Sequence, residues 1–178
     1  MSIQARECAH ALLADGATVK IRTARPGDLA TVRDMHATMS PEHRYLRFFS
    51  MSLFAAEQEA RRVCREPAPD HSALLALLDC QVVGCASYER AGAGYRSAEV
   101  AFAVADGMHR RGIGTLLLQH LVSLARSRGV RTFTAQTLSS NTAMLRVFAN
   151  SGLPVQRSLA DGVYDLTLLL PASGADAA

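Results

Sequence analysis

The sequence predicts one domain of the α/β class (α+β), in which helices flank a single, mostly antiparallel sheet. The chain has 178 residues, 49% hydrophobic and 20% charged, which suits one domain with a hydrophobic core. Its middle contains three successive strand patterns separated by turns, as in an antiparallel meander. On both sides of that region, apolar residues recur at the spacing of amphipathic helices.

The first part of the chain is predicted to contain one strand and three helices. Residues 1–17 form an N-terminal extension, of which 5–14 could be a short helix stopped by Gly16 or a loosely attached segment. Ser40 and Pro41 end one helical pattern and provide the cap and first residue of the next. The strand is expected at 18–23, and the helices at about 29–39, 41–49 and 53–64.

The second part is predicted to alternate strands with two helices. Gly129 and Gly152 follow the two helical stripes, as expected of C-terminal glycines. The strands are expected at 72–78, 81–88, 98–104, 132–137 and 163–170, and the helices at 113–128 and 142–151. The tail at 171–178 is rich in Ala, Gly and Ser and is expected to be disordered.

Composition excludes several classes of protein. The net charge of +3 is not gathered into a run, so we expect no nucleic-acid partner. Lys20 is the only lysine and lies outside any Gly-Lys-Ser/Thr context, which excludes a P-loop. The four cysteines lack a Cys-x2-Cys pair, so we expect no zinc site. Apolar runs are too short to cross a membrane, and we therefore expect a cytoplasmic protein with free thiols.

The sharpest motif lies between the third strand of the meander and the following amphipathic helix. It reads His109, Arg110, Arg111, Gly112, Ile113, Gly114, Thr115. Glycines allow backbone N–H groups to converge, and a helix N-terminus adds its positive dipole end, so the segment is predicted to bind a pyrophosphate, with the two arginines adding charge. Leu117, and the lack of an acid at 131–140, exclude the dinucleotide fingerprint of a Rossmann fold.

This motif resembles the pyrophosphate signature of the GNAT superfamily of acyl-CoA-dependent N-acyltransferases, Gln/Arg-x-x-Gly-x-Gly/Ala, with His109 replacing the usual first residue. The resemblance covers residues 18–170, which would be the acetyltransferase domain. It implies a mixed sheet of about six or seven strands that splays between the fourth (98–104) and fifth (132–137). It also implies acetyl-CoA as the acyl donor, with no metal.

The resemblance further implies which residues lie along the cofactor. Phe102, Ala103 and Val104 match the strand whose backbone binds the pantetheine arm. Asn141 begins the helix that lies beside the thiol. Phe148 occupies the position where many members have a tyrosine that protonates the leaving thiolate, so that water could serve instead.

Residues 40–49 and 98–104 are similar to the catalytic domain of bacterial protein lysine acetyltransferases, which acetylate AMP-forming acyl-CoA synthetases. The implied acceptor is a lysine on such a synthetase, attacked directly in a ternary complex. Some members carry a cyclic-nucleotide domain or a synthetase-like domain, and we expect neither here. Two alternatives remain open: acetylation of a small amine, and an acyl-CoA-binding sensor without turnover.

Glu99 is the candidate general base. An amine nucleophile with a pKa near 10.4 arrives protonated, so attack on a thioester benefits from a group that accepts its proton. Glu99 lies in an otherwise apolar strand, where burial would raise the pKa of a carboxyl group. From spacing alone it could equally be a solvent-facing residue or a partner of Arg96, and the resemblance favours the base.

Overall fold

A computed structural model describes residues 8–92 and 94–172. Within them, eight strands form one sheet and five α-helices cover it. The strands are β1 (Cys8–Leu12), β2 (Thr18–Thr23), β3 (His71–Leu78), β4 (Gln81–Glu89), β5 (Ser97–Val104), β6 (Thr132–Leu138), β7 (Val155–Ala160) and β8 (Val163–Leu169). The helices are α1 (Leu29–Thr38), α2 (Pro41–Phe48), α3 (Leu53–Val63), α4 (Ile113–Ser127) and α5 (Thr142–Ala149).

The sheet order is β1-β2-β3-β4-β5-β6-β8-β7, and β5–β6 is its parallel pair among antiparallel neighbours. That parallel pairing covers only 97–99 of β5 and 132–134 of β6. Beyond it the two strands diverge, although both continue for several residues. The predicted α/β class and the splay are confirmed, with eight strands in the described chain rather than six or seven.

The prediction of a helix at 5–14 is wrong for the residues that the structure describes. Cys8–Leu12 form strand β1, which pairs antiparallel with β2. Gly16 lies in the turn of this hairpin at φ 87°, and the backbone N–H of Ala17 donates to the Asp15 carboxylate at 3.1 Å. Pairing with β2 therefore outweighs the local helical tendency. Residues 1–7 of the predicted extension, and 173–178 of the predicted tail, lie outside the described residues.

The sheet separates two hydrophobic clusters. Leu74 and Ala76 of β3 face the cluster formed with α4 and α5, whereas Ala73 and Leu75 face the cluster formed with α1 and α3. This alternation follows from the two-residue period of a strand. Helices therefore cover both faces of the sheet. No helix in the described ranges is long and apolar enough to cross a membrane.

Local sequence explains where the two helices nearest the splay begin. The Ser40 hydroxyl accepts from the His43 backbone N–H at 3.2 Å, with Pro41 as the first residue of α2. The Asn141 side chain accepts from the Met144 backbone N–H at 3.1 Å at the start of α5. Such caps satisfy N–H groups that have no partner within the helix. Both were readable from sequence.

Candidate active site

A cleft of about 740 Å³ opens where β5 and β6 separate. One side is lined by residues 100–102 of β5 and by Asn141, Met144 and Phe148 at α5. These residues, together with the connection 105–112 and the start of α4 that continue from β5, are here called the loop wall. The opposite side, here called the helix wall, consists of residues 46–49 of α2 and its C-cap and residues 55–62 of α3. Glu99 lies at the base of the cleft, in the last residue pair before the strands diverge.

Glu99 points to the sheet face covered by α3. Its neighbours Ala98 and Val100 are buried on the opposite face, while Glu99 itself is exposed. The burial that the sequence predicted for this carboxylate is therefore absent from this structure, because the cleft is open above it. Glu99 acts electrostatically on Arg62 of α3: the hydrogen bond to Glu89, and then the charges of Glu59, Glu89 and Glu99, raise the pKa of the guanidinium against the opposing effect of burial. Arg62 and Glu99 both line the cleft, and no ion pair joins Glu99 to Arg96 among the described residues.

Buried ion pairs hold the helix wall. Arg47 donates to Glu59 at 2.6 Å, and their side chains are only 17% and 11% exposed. Arg62 bonds Glu89 of β4 at 2.8 Å and lies 3.9 Å from the other oxygen of Glu59. Removing one partner would leave an uncompensated charge at low dielectric, so these contacts fix α2 and α3 relative to the sheet. Sequence reasoning missed this network because its members come from separate elements.

Where the loop wall reaches the start of α4, it presents backbone groups rather than side chains. Gly112 precedes α4 at φ 87°, a conformation that other residues adopt rarely, and no side chain caps this helix. The first N–H groups of α4 therefore lack an intrahelical partner, an arrangement that favours an anion at the end of the helix. The Ile113 side chain is buried in the core, so this residue offers only its backbone to the cleft side. Thr115 lies in the same first turn, partly exposed.

Gly114 has a packing role besides the one that the sequence predicted. The sequence predicted that both glycines let backbone N–H groups converge on a pyrophosphate. A Cβ at Gly112 would meet no protein atom within 4 Å, whereas a Cβ at Gly114 would lie 3.0 Å from Cγ2 of Val147. Gly114 therefore permits the close approach of α4 to α5, and this packing explains the second glycine.

The two arginines of the motif differ. Arg111 donates to the Asp15 carboxylate at 2.7 Å and is thereby tied to the β1–β2 hairpin. The Ala17 N–H and Arg111 lower the pKa of Asp15. Arg110 is exposed, has φ 61°, and makes no ion pair with another described residue. Of these two arginines, Arg110 is thus the one that no described carboxylate engages and that is available to an anion.

The side chain of His109 contacts the C-terminal end of β5. Its Nε2 donates to the Val104 carbonyl at 3.0 Å. Ala103 is buried against the α1–α3 side, and Phe102 packs edge to face on Phe148 with ring centroids 5.9 Å apart. The side chain of Asn141 donates to the Leu46 carbonyl at 3.5 Å, which joins α5 to α2 at the edge of the cleft.

Residues 34–153, two thirds of the chain, match the acetyltransferase (GNAT) family. The chain belongs to the GNAT family. The GNAT domain of PAT from S. lividans superposes with a TM-score of 0.84 at 31% identity, over 95% of this chain and 100% of that one. The acetyl-CoA complex of yncA from Salmonella typhimurium has a TM-score of 0.64 at 22% identity, over 88% and 96% of the two chains, and shows the shared fold.

A curated relative, the acetyltransferase Pat of Mycolicibacterium smegmatis, is 38% identical over 71 residues. Those residues make up 40% of this chain and 21% of that protein. This GNAT chain thus matches about a fifth of the length of the curated relative.

A hydroxyl group that the sequence did not single out also lines the GNAT cleft. Thr137 of β6 is 2% exposed, and its Oγ1 has no hydrogen-bond partner among the described residues. Buried hydroxyls are normally paired, so an orphan hydroxyl in a cleft wall is a candidate donor to a bound ligand. Phe148, which is almost fully buried, offers no such proton. Alternation in β6 predicts that Thr137 is buried, but only the fold places it beside the cleft.

Proposed function

We propose that this protein transfers the acetyl group of acetyl-CoA to the side-chain amine of a protein lysine, by direct attack within a ternary complex. The observation that carries the proposal is Glu99, a carboxylate at the point where β5 and β6 separate, between an anion-binding helix end and a separate helix wall. In this proposal the end of α4 marks the entrance of the phosphate-bearing donor, and the helix wall marks the entrance of the acceptor. GNAT enzymes need no metal for this reaction.

In this mechanism the loop wall binds the donor. Backbone N–H groups at 112–115 and the exposed Arg110 receive the pyrophosphate, and β5 beyond Glu99 offers backbone groups to the pantetheine arm. The aromatic pair Phe102–Phe148 provides an apolar surface near the thioester. Thr137 Oγ1 is the group we assign as hydrogen-bond donor to the leaving thiolate, a role that water could share.

Glu99 accepts the proton of the attacking amine. The amine nitrogen forms a bond to the acetyl carbon, the C–S bond breaks, and the thiolate of coenzyme A leaves and takes up a proton. Glu99 is exposed in the free protein, and a protein acceptor covering the cleft would remove water from its carboxylate. Water removal raises the pKa of a carboxyl group toward the range useful for a base.

An apolar surface beside the cleft supports a protein acceptor rather than a small amine. The apolar ridge consists of Phe49, Met51, Leu53 and Phe54, whose side chains are 44% to 71% exposed. Phe49 also lines the cleft. Clustered exposed apolar residues of this kind are typical of protein-binding surfaces. The similarity to the GNAT domain of S. lividans PAT supports the same choice, and an AMP-forming acyl-CoA synthetase is the acceptor that we propose.

We also propose that the protein works in the cytoplasm, where acetyl-CoA is available. Its four cysteines, Cys8, Cys64, Cys80 and Cys85, are free thiols, in keeping with a reducing compartment.

Thiol release from acetyl-CoA tests the acceptor class. The protein should release coenzyme A in the presence of a purified AMP-forming acyl-CoA synthetase, and mass spectrometry should find acetyl-lysine on the synthetase. Release with small amines alone would favour the small-molecule reaction. Tight binding of acetyl-CoA without release for any acceptor would favour the sensor alternative. Both outcomes would contradict the proposal.

Glu99→Gln tests the base. The amide preserves shape but cannot accept a proton, so kcat should fall by about 10² to 10⁴-fold while acetyl-CoA affinity stays unchanged. The loss should shrink as pH rises toward the lysine pKa, since more of the acceptor is then neutral. Glu89→Gln, a change to another carboxylate next to Arg62, is the matched control and should lack this pH dependence. A Glu99→Gln rate within about twofold of the parent near pH 7 would remove Glu99 from the mechanism.

A further inference from the structure

Three side chains from two segments of the chain meet next to the glycine-rich motif. His43 comes from α2, and Asp106 and His109 come from the connection between β5 and α4. The Nδ1 of His43 donates to Asp106 Oδ1 at 2.6 Å, and the two imidazole rings lie 4.5 Å apart in an edge-to-face arrangement. One ligand atom from each residue lies within 4.8 Å of the others. His43 and Asp106 are about one third exposed, at 34% and 32%, so an ion in solution can reach them.

His109 and Asp106 also make hydrogen bonds outside the cluster, of the kind that orient the side chains of metal ligands. His109 Nε2 donates to the Val104 carbonyl at 3.0 Å, which leaves the lone pair on Nδ1 free. The second oxygen of Asp106 accepts from the Ser40 backbone N–H at 2.7 Å. In protein metal sites, a ligating histidine usually donates its other ring nitrogen to a carbonyl or carboxylate, and a ligating carboxylate accepts a further hydrogen bond. Both features are present here without an ion.

We propose that His43, Asp106 and His109 form a site for a divalent transition-metal ion of the zinc type. Two imidazoles and one carboxylate suit Zn²⁺ or Co²⁺ and not Mg²⁺ or Ca²⁺, which prefer oxygen ligands alone. When His43 ligates through Nδ1, its ring proton resides on Nε2. Three protein ligands leave one position for water. The ion is not required for transfer.

The site joins the two walls of the cleft. His43 belongs to the helix next to the acceptor entrance, and His109 begins the loop of the donor entrance. A bound ion would replace one hydrogen bond by three coordinate bonds between these segments. The protein should therefore be stabilised by the ion, since an ion that binds only the folded state stabilises it by mass action. At about a hundredfold excess over Kd, we expect the unfolding temperature to rise by roughly 5 to 10 °C.

Untagged, chelator-treated protein provides the test. Titration with Co²⁺ alone should produce the intense visible bands of a four-coordinate site at one ion per chain, and Zn²⁺ should displace them. His109→Gln keeps a donor for the Val104 carbonyl, and Asp106→Asn keeps an acceptor for the Ser40 N–H, so both should fold. Each should weaken Co²⁺ binding at least tenfold, the lower end of the loss seen when a ligand is disturbed. The double variant His10→Ala/Cys80→Ser removes exposed ligand groups elsewhere and should bind like the parent.

Equal Co²⁺ affinity in the parent, His109→Gln and Asp106→Asn would place the ion elsewhere and overturn the proposal. Absence of the bands in the parent at millimolar Co²⁺ would reduce the cluster to a histidine–aspartate hydrogen bond. Thermal melts with and without Zn²⁺ provide the second measurement: only proteins that retain all three side chains should be stabilised.

Discussion

The two walls of the cleft are built from different kinds of contact. The loop wall depends on backbone conformation: Gly112 at φ 87° and an uncapped helix end lie within one short segment. The helix wall depends on charged side chains from separate elements, with Glu59 bonded to Arg47 twelve residues away and Arg62 bonded to Glu89 of β4. A site made of backbone groups suits acetyl-CoA, because the donor is the same whichever acceptor is used. Side chains on the other wall can vary with the acceptor while the donor site stays intact.

The largest expected effect comes from breaking the loop wall at Gly112. Gly112→Asp places a carboxylate at the end of α4, where it competes for the same N–H groups and repels phosphate, so acetyl-CoA affinity should fall about a thousandfold. The fold should persist because a Cβ there meets no protein atom within 4 Å. Gly162→Asp, with φ 79° in the β7–β8 turn, imposes similar backbone strain and should bind normally. Calorimetric titration with acetyl-CoA measures this affinity. If Gly112→Asp bound acetyl-CoA as tightly as the parent, the predicted pyrophosphate site would be wrong.

A second prediction concerns the support beneath the helix wall. His36 of α1 is fully buried and donates to the Ala56 carbonyl of α3 at 3.2 Å; burial lowers its pKa from 6.5 to about 4. Between these pH values the unfolded chain binds a proton that the folded chain does not. The free energy of unfolding should therefore fall as pH drops from about 6.5 to about 4, by about 3 kcal/mol in total.

His36→Gln removes the titrating group and should flatten this part of the stability curve, measured by urea unfolding across the pH range. The exposed His10 provides the matched control, and His10→Gln should retain the parent slope. An unchanged slope in His36→Gln would assign the pH dependence to other groups.

A third prediction concerns the support of the loop wall. Gly114→Ala should lower the free energy of unfolding by about 1 kcal/mol, because overpacking against Val147 outweighs the better helix propensity of alanine. In a Val147→Ala background the clash is gone, and the same change should become neutral or stabilising. A double-mutant cycle by chemical denaturation measures this coupling. Additive effects would show that Gly114 is not there for packing.

The smallest expected effect separates the two arginines. Arg110→Ala should raise the KM for acetyl-CoA by about two- to fivefold at low salt, and the effect should fade with added salt because exposed charges are screened. Arg111→Ala should affect KM less, because Arg111 is bonded to Asp15. It should lower thermal stability to the same small extent as Asp15→Asn. Initial rates at two salt concentrations and thermal melts provide the comparison, and equal KM effects would contradict it.

The sequence predicted best those features that depend on neighbouring residues. The Ser40 cap, the glycine-rich connection before α4 and the three-strand meander are encoded within a few residues each. Strand β1 was predicted as a short helix or a loosely attached segment, and β7 was missed. Both are edge strands whose conformation depends on pairing with β2 and β8.

The sequence by itself determined the domain class, the helix starts and the glycine turn before α4, because caps, glycine conformations and amphipathic periods act over short distances. Only the tertiary structure decided which side chains meet across the chain. It paired Glu59 with Arg47, placed Gly114 against Val147, and brought His43 beside Asp106. It also left Glu99 exposed within an open cleft. These contacts follow from the packing of helices on both faces of a splayed sheet, which no local pattern encodes.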